Sequence, residues 1–309
     1  MSATAPLITR QRVVAFKAES TPGTAISLSA ADGVIHAFDA NITPDIGMKE
    51  RQGQGSMSNL NSVATTRGAD GEFMTELQGD GAGGPLAALA TLLTASGFVA
   101  GSGGLYSLTS DPTTTLTYAR YIDGHKEFMA GAMCDLEFDF KAGEPVMISV
   151  KAKGVYQART STALITPTYP TSNPMVFSGA TLTLASYTPR VSNVKISLNN
   201  ALVLREDGTK TGGYLAATIT GRSITVSMDP EEDAIGTKDF IGELLANTEV
   251  AFTLVVDNGT DDCTFSIPKF QIDSAAPGDR EGIFTRSIEG KANRSSADND
   301  EMTITFGSA

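Results

Sequence analysis

A chain of 309 residues, 41% hydrophobic and 19% charged, carries enough apolar side chains for two cores of ordinary size, which excludes a disordered protein. The net charge of −12 excludes a surface that grips nucleic acid through clustered Lys and Arg, yet permits an acidic wall along which DNA slides without sticking. Trp is absent, Gly numbers 31, and Thr, Ser and Val recur, a composition that favours strands and turns over helices.

Residues 1–35 form an arm. Within it Arg12-Val13-Val14-Ala15-Phe16-Lys17 is a candidate strand and Ser20-Thr21-Pro22-Gly23-Thr24 a turn. Having no core of its own, the arm is expected to lie on the first domain or on a neighbouring subunit. The first domain spans 36–157. Its first strand is expected to stop, or to take an edge position, at Thr43-Pro44, because proline cannot donate to a sheet ladder. The polar stretch from Asp45 to Asp70 follows, too long for an idle loop, and reads as an extended hairpin. A strand over Glu72–Leu77 leads into a helix whose face is Leu86, Leu89, Leu92 and Leu93, with Pro85 in its first turn and Gly97 at its C-terminal cap. A Gly- and Ser-rich insertion, Gly97 to Asp111, comes next.

A Pro-rich linker over 158–176 separates this domain from a second over 177–309. The order of elements then repeats. Strands over Val194–Leu198 and Leu215–Ile219 flank a second polar segment, Asn199 to Gly213. A helix over Thr237–Ala246 follows, capped by Thr237, ended by Asn247 and faced with Phe240, Ile241, Leu244 and Leu245. The closest parallel sets Thr117–Gly124 against Ala251–Asn258. The same gapless frame then sets Leu136–Asp139 against Phe270–Asp273. The expected fold is therefore mainly β with some α: two similar tandem β-sandwich or barrel-like domains, each with one short helix.

Chemical motifs are weak. Gly79, Gly81 and Gly84 match a dinucleotide fingerprint, but the alternating β-α pattern is missing and no acidic residue stands about 20 positions on for a ribose. A turn into a closely packed helix explains the glycines better. The two histidines, His36 and His125, have no nucleophile-elbow sequence to serve, and the latter is expected in a solvated hairpin turn. The carboxylates of Asp229–Asp233, Asp257–Asp262 and Asp298–Glu301 lack calcium-loop spacing. Cys134 and Cys263 lack metal spacing and sit in apolar runs, so buried, reduced thiols are expected. No cofactor and no catalytic residue is expected. The chain opens with no secretory leader and has no run of 18 apolar residues, so no membrane association is expected either.

Three stretches carry a family resemblance: Glu19-Ser20-Thr21-Pro22-Gly23-Thr24-Ala25, Ile42-Thr43-Pro44 with Lys49-Glu50-Arg51 close behind, and Asp135–Lys153 with its Phe-Lys-Ala-Gly-Glu-Pro turn. Together they resemble the major tail tube proteins of long-tailed, siphovirus-type bacteriophages, in the variant with two tandem tube domains. The resemblance implies a structural virion protein, assembled in the host cytoplasm, that self-assembles as homotrimeric, pseudo-sixfold rings stacked into the tail tube. It also implies a conduit whose lumen DNA transits without specific binding, and contacts with tape measure, terminator and distal tail proteins. The candidate ring-stacking residues are Lys49, Glu50, Arg51, Gln54, Asn59 and Asn61 of the first hairpin and Arg205, Glu206, Asp207 and Lys210 of the second, with Arg12, Phe16 and Lys17 on the arm. A monomeric β-rich virion binding or decoration module is the alternative.

Overall fold

The computed structural model describes residues 12–55 and 57–309. The arm residues before Arg12 lie outside it. In the first half the elements are β1 (Arg12–Ala18), β2 (Ala37–Gln52), β3 (Asn59–Glu76), α1 (Ala87–Ala95), β4 (Phe98–Ala100), β5 (Leu105–Leu108), β6 (Leu116–Ile122), β7 (His125–Lys141) and β8 (Met147–Ser161). The second half contributes β9 (Val176–Leu184), β10 (Asn193–Ser197), β11 (Leu202–Glu206), β12 (Tyr214–Ile219), β13 (Thr225–Met228), α2 (Phe240–Leu245), β14 (Glu249–Asp257), β15 (Asp261–Arg280), β16 (Ile283–Ala292) and β17 (Thr303–Ser308).

Alternation builds the strands. On β7, Cys134, Leu136, Phe138 and Phe140 are buried while Asp135, Glu137 and Asp139 on the other face are only half-buried. Every pairing is antiparallel. The order in the first half is β2–β3–β8–β7–β6–β1. In the second it is β10–β13–β16–β15–β14–β9. β10 also pairs with β7, from Ser197 opposite Glu137 to Asn193 opposite Lys141, and so makes one sheet of the two halves. A second tie runs through β17, which joins β15 to β5. The apolar core is shared as well: Phe138 and Phe140 of β7 meet Phe265 of β15 edge-on at 5.0 and 5.3 Å.

Several local expectations change. Of the two outcomes expected at Pro44, a stop or an edge position, the structure shows the second: β2 runs on to Gln52 as an edge strand, with β3 as its only strand partner among the described residues. α1 begins at Ala87 with Leu86 as its cap, so Pro85 precedes the helix, bridged to Gly79. Thr237 does not cap α2. Asp239 does, its carboxylate accepting from Gly242 N at 2.8 Å. Only Phe240 of the expected α2 face is buried, and Leu245 is 78% exposed. The gapless frame between the halves fails inside the hairpins. Leu116 pairs with Ala132 across the first, whereas Val250 pairs with Phe270 across the second, so Leu136 and Phe270 are not equivalent. The stretch after β8 is laid along the first half: Leu164 and Ile165 pack on Ala15, Ala119 and Tyr121, and Tyr169 stacks on His36 at 4.8 Å.

Candidate assembly surface

Two hairpins project beyond the shared core. The first is the distal part of β2 and β3, where Lys49 pairs with Val63 and Arg51 with Leu60. Arg51 Nη1 donates to Asn61 Oδ1 at 3.5 Å, and Gln54 lies in the connecting turn before Asn59 starts β3. Its polar residues are exposed. So are five apolar ones that the polar reading passed over: Ile46, Met48, Met57, Leu60 and Val63, of which Met48 is 61% exposed. Their signal was in the sequence, as apolar residues spaced through an otherwise polar strand pair. Exposed apolar residues on a long, open-edged hairpin are of the kind that contact surfaces use.

The second hairpin, β11–β12, holds Arg205 and Glu206 on β11, with Asp207 and Lys210 in its turn. Asp207 Oδ1 accepts from Thr209 Oγ1 at 2.7 Å and from Thr209 N at 2.9 Å, and those bonds hold its pKa below the usual carboxylate value. Gly213 N donates to Lys210 O and closes the turn. The two hairpins touch through Arg67 N, which donates to Gly212 O at 3.0 Å. Thus the structure brings the tip of the second hairpin against the stem of the first.

The second hairpin is bedded on the first half by close backbone approach. A Cβ on Gly23 would stand 1.9 Å from the Leu215 carbonyl oxygen, and one on Gly131 (φ +62°) 2.8 Å from Ala216, so neither position admits a side chain. Glu19 locks both glycines in place. Its carboxylate accepts from Gly23 N (2.8 Å), Gly131 N (2.8 Å), Thr115 Oγ1 (2.7 Å) and Thr117 Oγ1 (2.8 Å). This explains why the Glu19–Thr24 stretch carries so much of the pattern: one carboxylate ties the arm turn to β6 and β7.

The arm's own candidates are engaged within the chain. Phe16 is 1% exposed and stacks on Phe73 at 6.0 Å. Arg12 pairs with Asp39 at 3.2 Å and Lys17 with Asp32 at 3.0 Å. β1 pairs along its whole length with β6, so the described part of the arm lies on the first half of its own chain.

The remaining candidates for chemistry resolve as structure. The glycine-rich turn does make an anion nest, but the anion is the protein's own Asp261, which accepts from Gly81 N at 3.0 Å and Gly83 N at 3.1 Å. His125 is exposed at the start of β7. Cys134 and Cys263 are buried free thiols, and burial pushes both pKa values up, that of Cys134 to about 12. Asp300 is held well below the usual carboxylate range by the N–H groups of Ser295, Ser296 and Ala297. A groove of about 440 Å³ lies where the halves meet, lined by Asp70, Glu72, Asp135, Lys151, Lys153 and Asn200 among others. Within it Lys153 pairs with Asp70 at 3.3 Å, and Asp135 accepts from Asn200 N at 2.8 Å. Among the described residues no three His, Cys, Asp or Glu side chains are placed to hold a metal, and no helix is long and apolar enough to cross a membrane.

The family model described as phage tail tube protein matches residues 9–292, most of the chain. Among curated proteins none matches.

Proposed function

The chain belongs to the phage tail tube protein family, a structural and non-enzymatic component of the virion tail that self-assembles into the tube, and on that premise we propose how it does so. It acts as two tandem tube domains, 36–157 and 177–309, joined by the 158–176 segment, in the tail of a long-tailed, siphovirus-type phage. Three chains close a ring of pseudo-sixfold symmetry, and rings stack into the tube. The observation that carries this reading is the strand order, which is the same in both halves, together with the β7–β10 pairing that sets one half beside the other as neighbours in a ring would sit.

Stacking falls to the first hairpin. Lys49, Glu50, Arg51, Gln54, Asn59 and Asn61 meet the adjacent ring, with Met48, Leu60 and Val63 supplying the apolar area, and Arg205, Glu206, Asp207 and Lys210 extend the contact from the second hairpin. Arg12, Phe16 and Lys17 act from within the chain by fixing the arm against the first half. The net charge of −12 suits a lumen through which DNA passes without specific binding. Tape measure, terminator and distal tail proteins are the expected partners at the lumen and tube ends.

End-on electron microscopy of the purified protein at high concentration tests the proposal. Rings and stacked tubes are expected, and isolated globules at every concentration would overturn it.

A further inference from the structure

The methionines of this chain divide by place. Met129, Met133, Met175, Met228 and Met302 are buried in the core, each at 4% exposure or less, and Met147 is half-buried. Among the described residues the exposed methionines are Met48, Met57 and Met74, and all three lie on the β2–β3 hairpin. Met74 sits in its stem, 38% exposed. Met48 and Met57 sit in its distal part, the first 61% and the second fully exposed. The residue paired with Met48 is Ala64, whose methyl group shields little of a long side chain. A thioether is oxidised where an oxidant reaches its sulfur, so an oxidant meets the distal hairpin first and the core last. The hairpin surface changes while the fold is spared.

We propose that Met48 and Met57 are oxidation sites through which a peroxide blocks stacking of this chain, a reading that rests on the stacking role given above to the first hairpin. The sulfur attacks one oxygen of hydrogen peroxide. The O–O bond breaks and an S–O bond forms. The proton of the transferred oxygen passes to the leaving one, which departs as water. Sulfur is oxidised by two electrons and the peroxide is reduced by two. The product sulfoxide puts a polar acceptor where a flexible apolar group stood. Buried against a neighbouring ring beside Ile46, Leu60 and Val63, that acceptor has to shed its water, which opposes docking unless a donor replaces it. In a finished tube the same contact covers both sulfurs, so the tube resists an oxidant that stops the free subunit. Sulfoxide reduction reverses the block.

The test treats unassembled full-length protein with limiting hydrogen peroxide, locates sulfoxides by peptide mass spectrometry, and follows tube growth by sedimentation and negative-stain microscopy. Met48 and Met57 are expected to oxidise at least about tenfold faster than Met129, Met175 and Met302, with the melting temperature kept and tube growth lost. Methionine sulfoxide reductase with a thiol reductant should restore growth. Met48→Leu with Met57→Leu keeps the apolar area and should grow tubes with or without peroxide, each single substitution being partly resistant. Normal tubes from protein carrying both sulfoxides would overturn this inference and leave the stacking hairpin standing, as would growth lost to peroxide equally in the double variant. Tubes of normal length from protein lacking Gly53 to Asn61 would overturn the stacking role and this inference together.

Discussion

Single residues hold the surfaces in place. Glu19 satisfies two backbone N–H groups and two hydroxyls that the arm, β6 and β7 would otherwise leave half-buried without a partner. Glu19→Ala is expected to cost about 2–4 kcal/mol of stability, because the loss falls on several desolvated donors at once. Glu19→Gln keeps part of the network and should cost less. Urea denaturation checks both, and equal stability of all three proteins would remove the carboxylate from the account. Glu137 gives a pH signature at the junction of the halves. Burial alone would raise its pKa, but the bonds from Lys195 Nζ (3.0 Å) and Ser197 Oγ (3.1 Å) outweigh it and leave the value below 4.5. A lowered carboxylate contributes stability above its ordinary value and loses it as pH falls through the folded value. Asp135, two residues away, is raised by burial and runs the opposite way, its contribution shrinking as pH rises past 3.8. Melting temperature should therefore fall with acid below about pH 4.5, and Glu137→Gln should flatten that limb. A limb unchanged in the variant would assign the acid loss elsewhere.

At the scale of elements, the hairpins separate folding from assembly. Deleting Gly53 to Asn61 removes a hairpin tip whose described residues are all exposed, so soluble, folded subunits are expected that no longer form long tubes. A narrower change, Met48→Lys with Val63→Lys, should do the same while leaving the melting temperature within a degree or so, since both are exposed. Sedimentation and negative-stain microscopy read the result, and tubes of normal length would clear the hairpin of a stacking role. The elements were legible in the sequence where local chemistry decides. Leu89, Leu92 and Leu93 at helical spacing, with Gly97 behind them, placed α1 to within two residues. The long polar stretches gave themselves away as hairpins by length. What was not legible was set at a distance. Thr237 and Asp239 are both capping types, and the one used is Asp239, directly before Phe240, which is buried and meets Tyr187 edge-on at 6.1 Å. The four-residue slip between the halves was hidden because alternating strands match at any even offset.

At the scale of the whole molecule, the sheet continues from one half to the other through β7 and β10, strands about fifty residues apart whose alternation names no partner. That junction could not be read from the pattern, and it is what turns two β-rich halves into a segment with one leading and one trailing edge. In the proposed ring each such segment supplies two of six positions, so assembly needs only three copies. The direct measurement is the mass of an isolated ring by native mass spectrometry or multi-angle light scattering. The account predicts three times the 32.2 kDa chain, and a ring of six chains would contradict it.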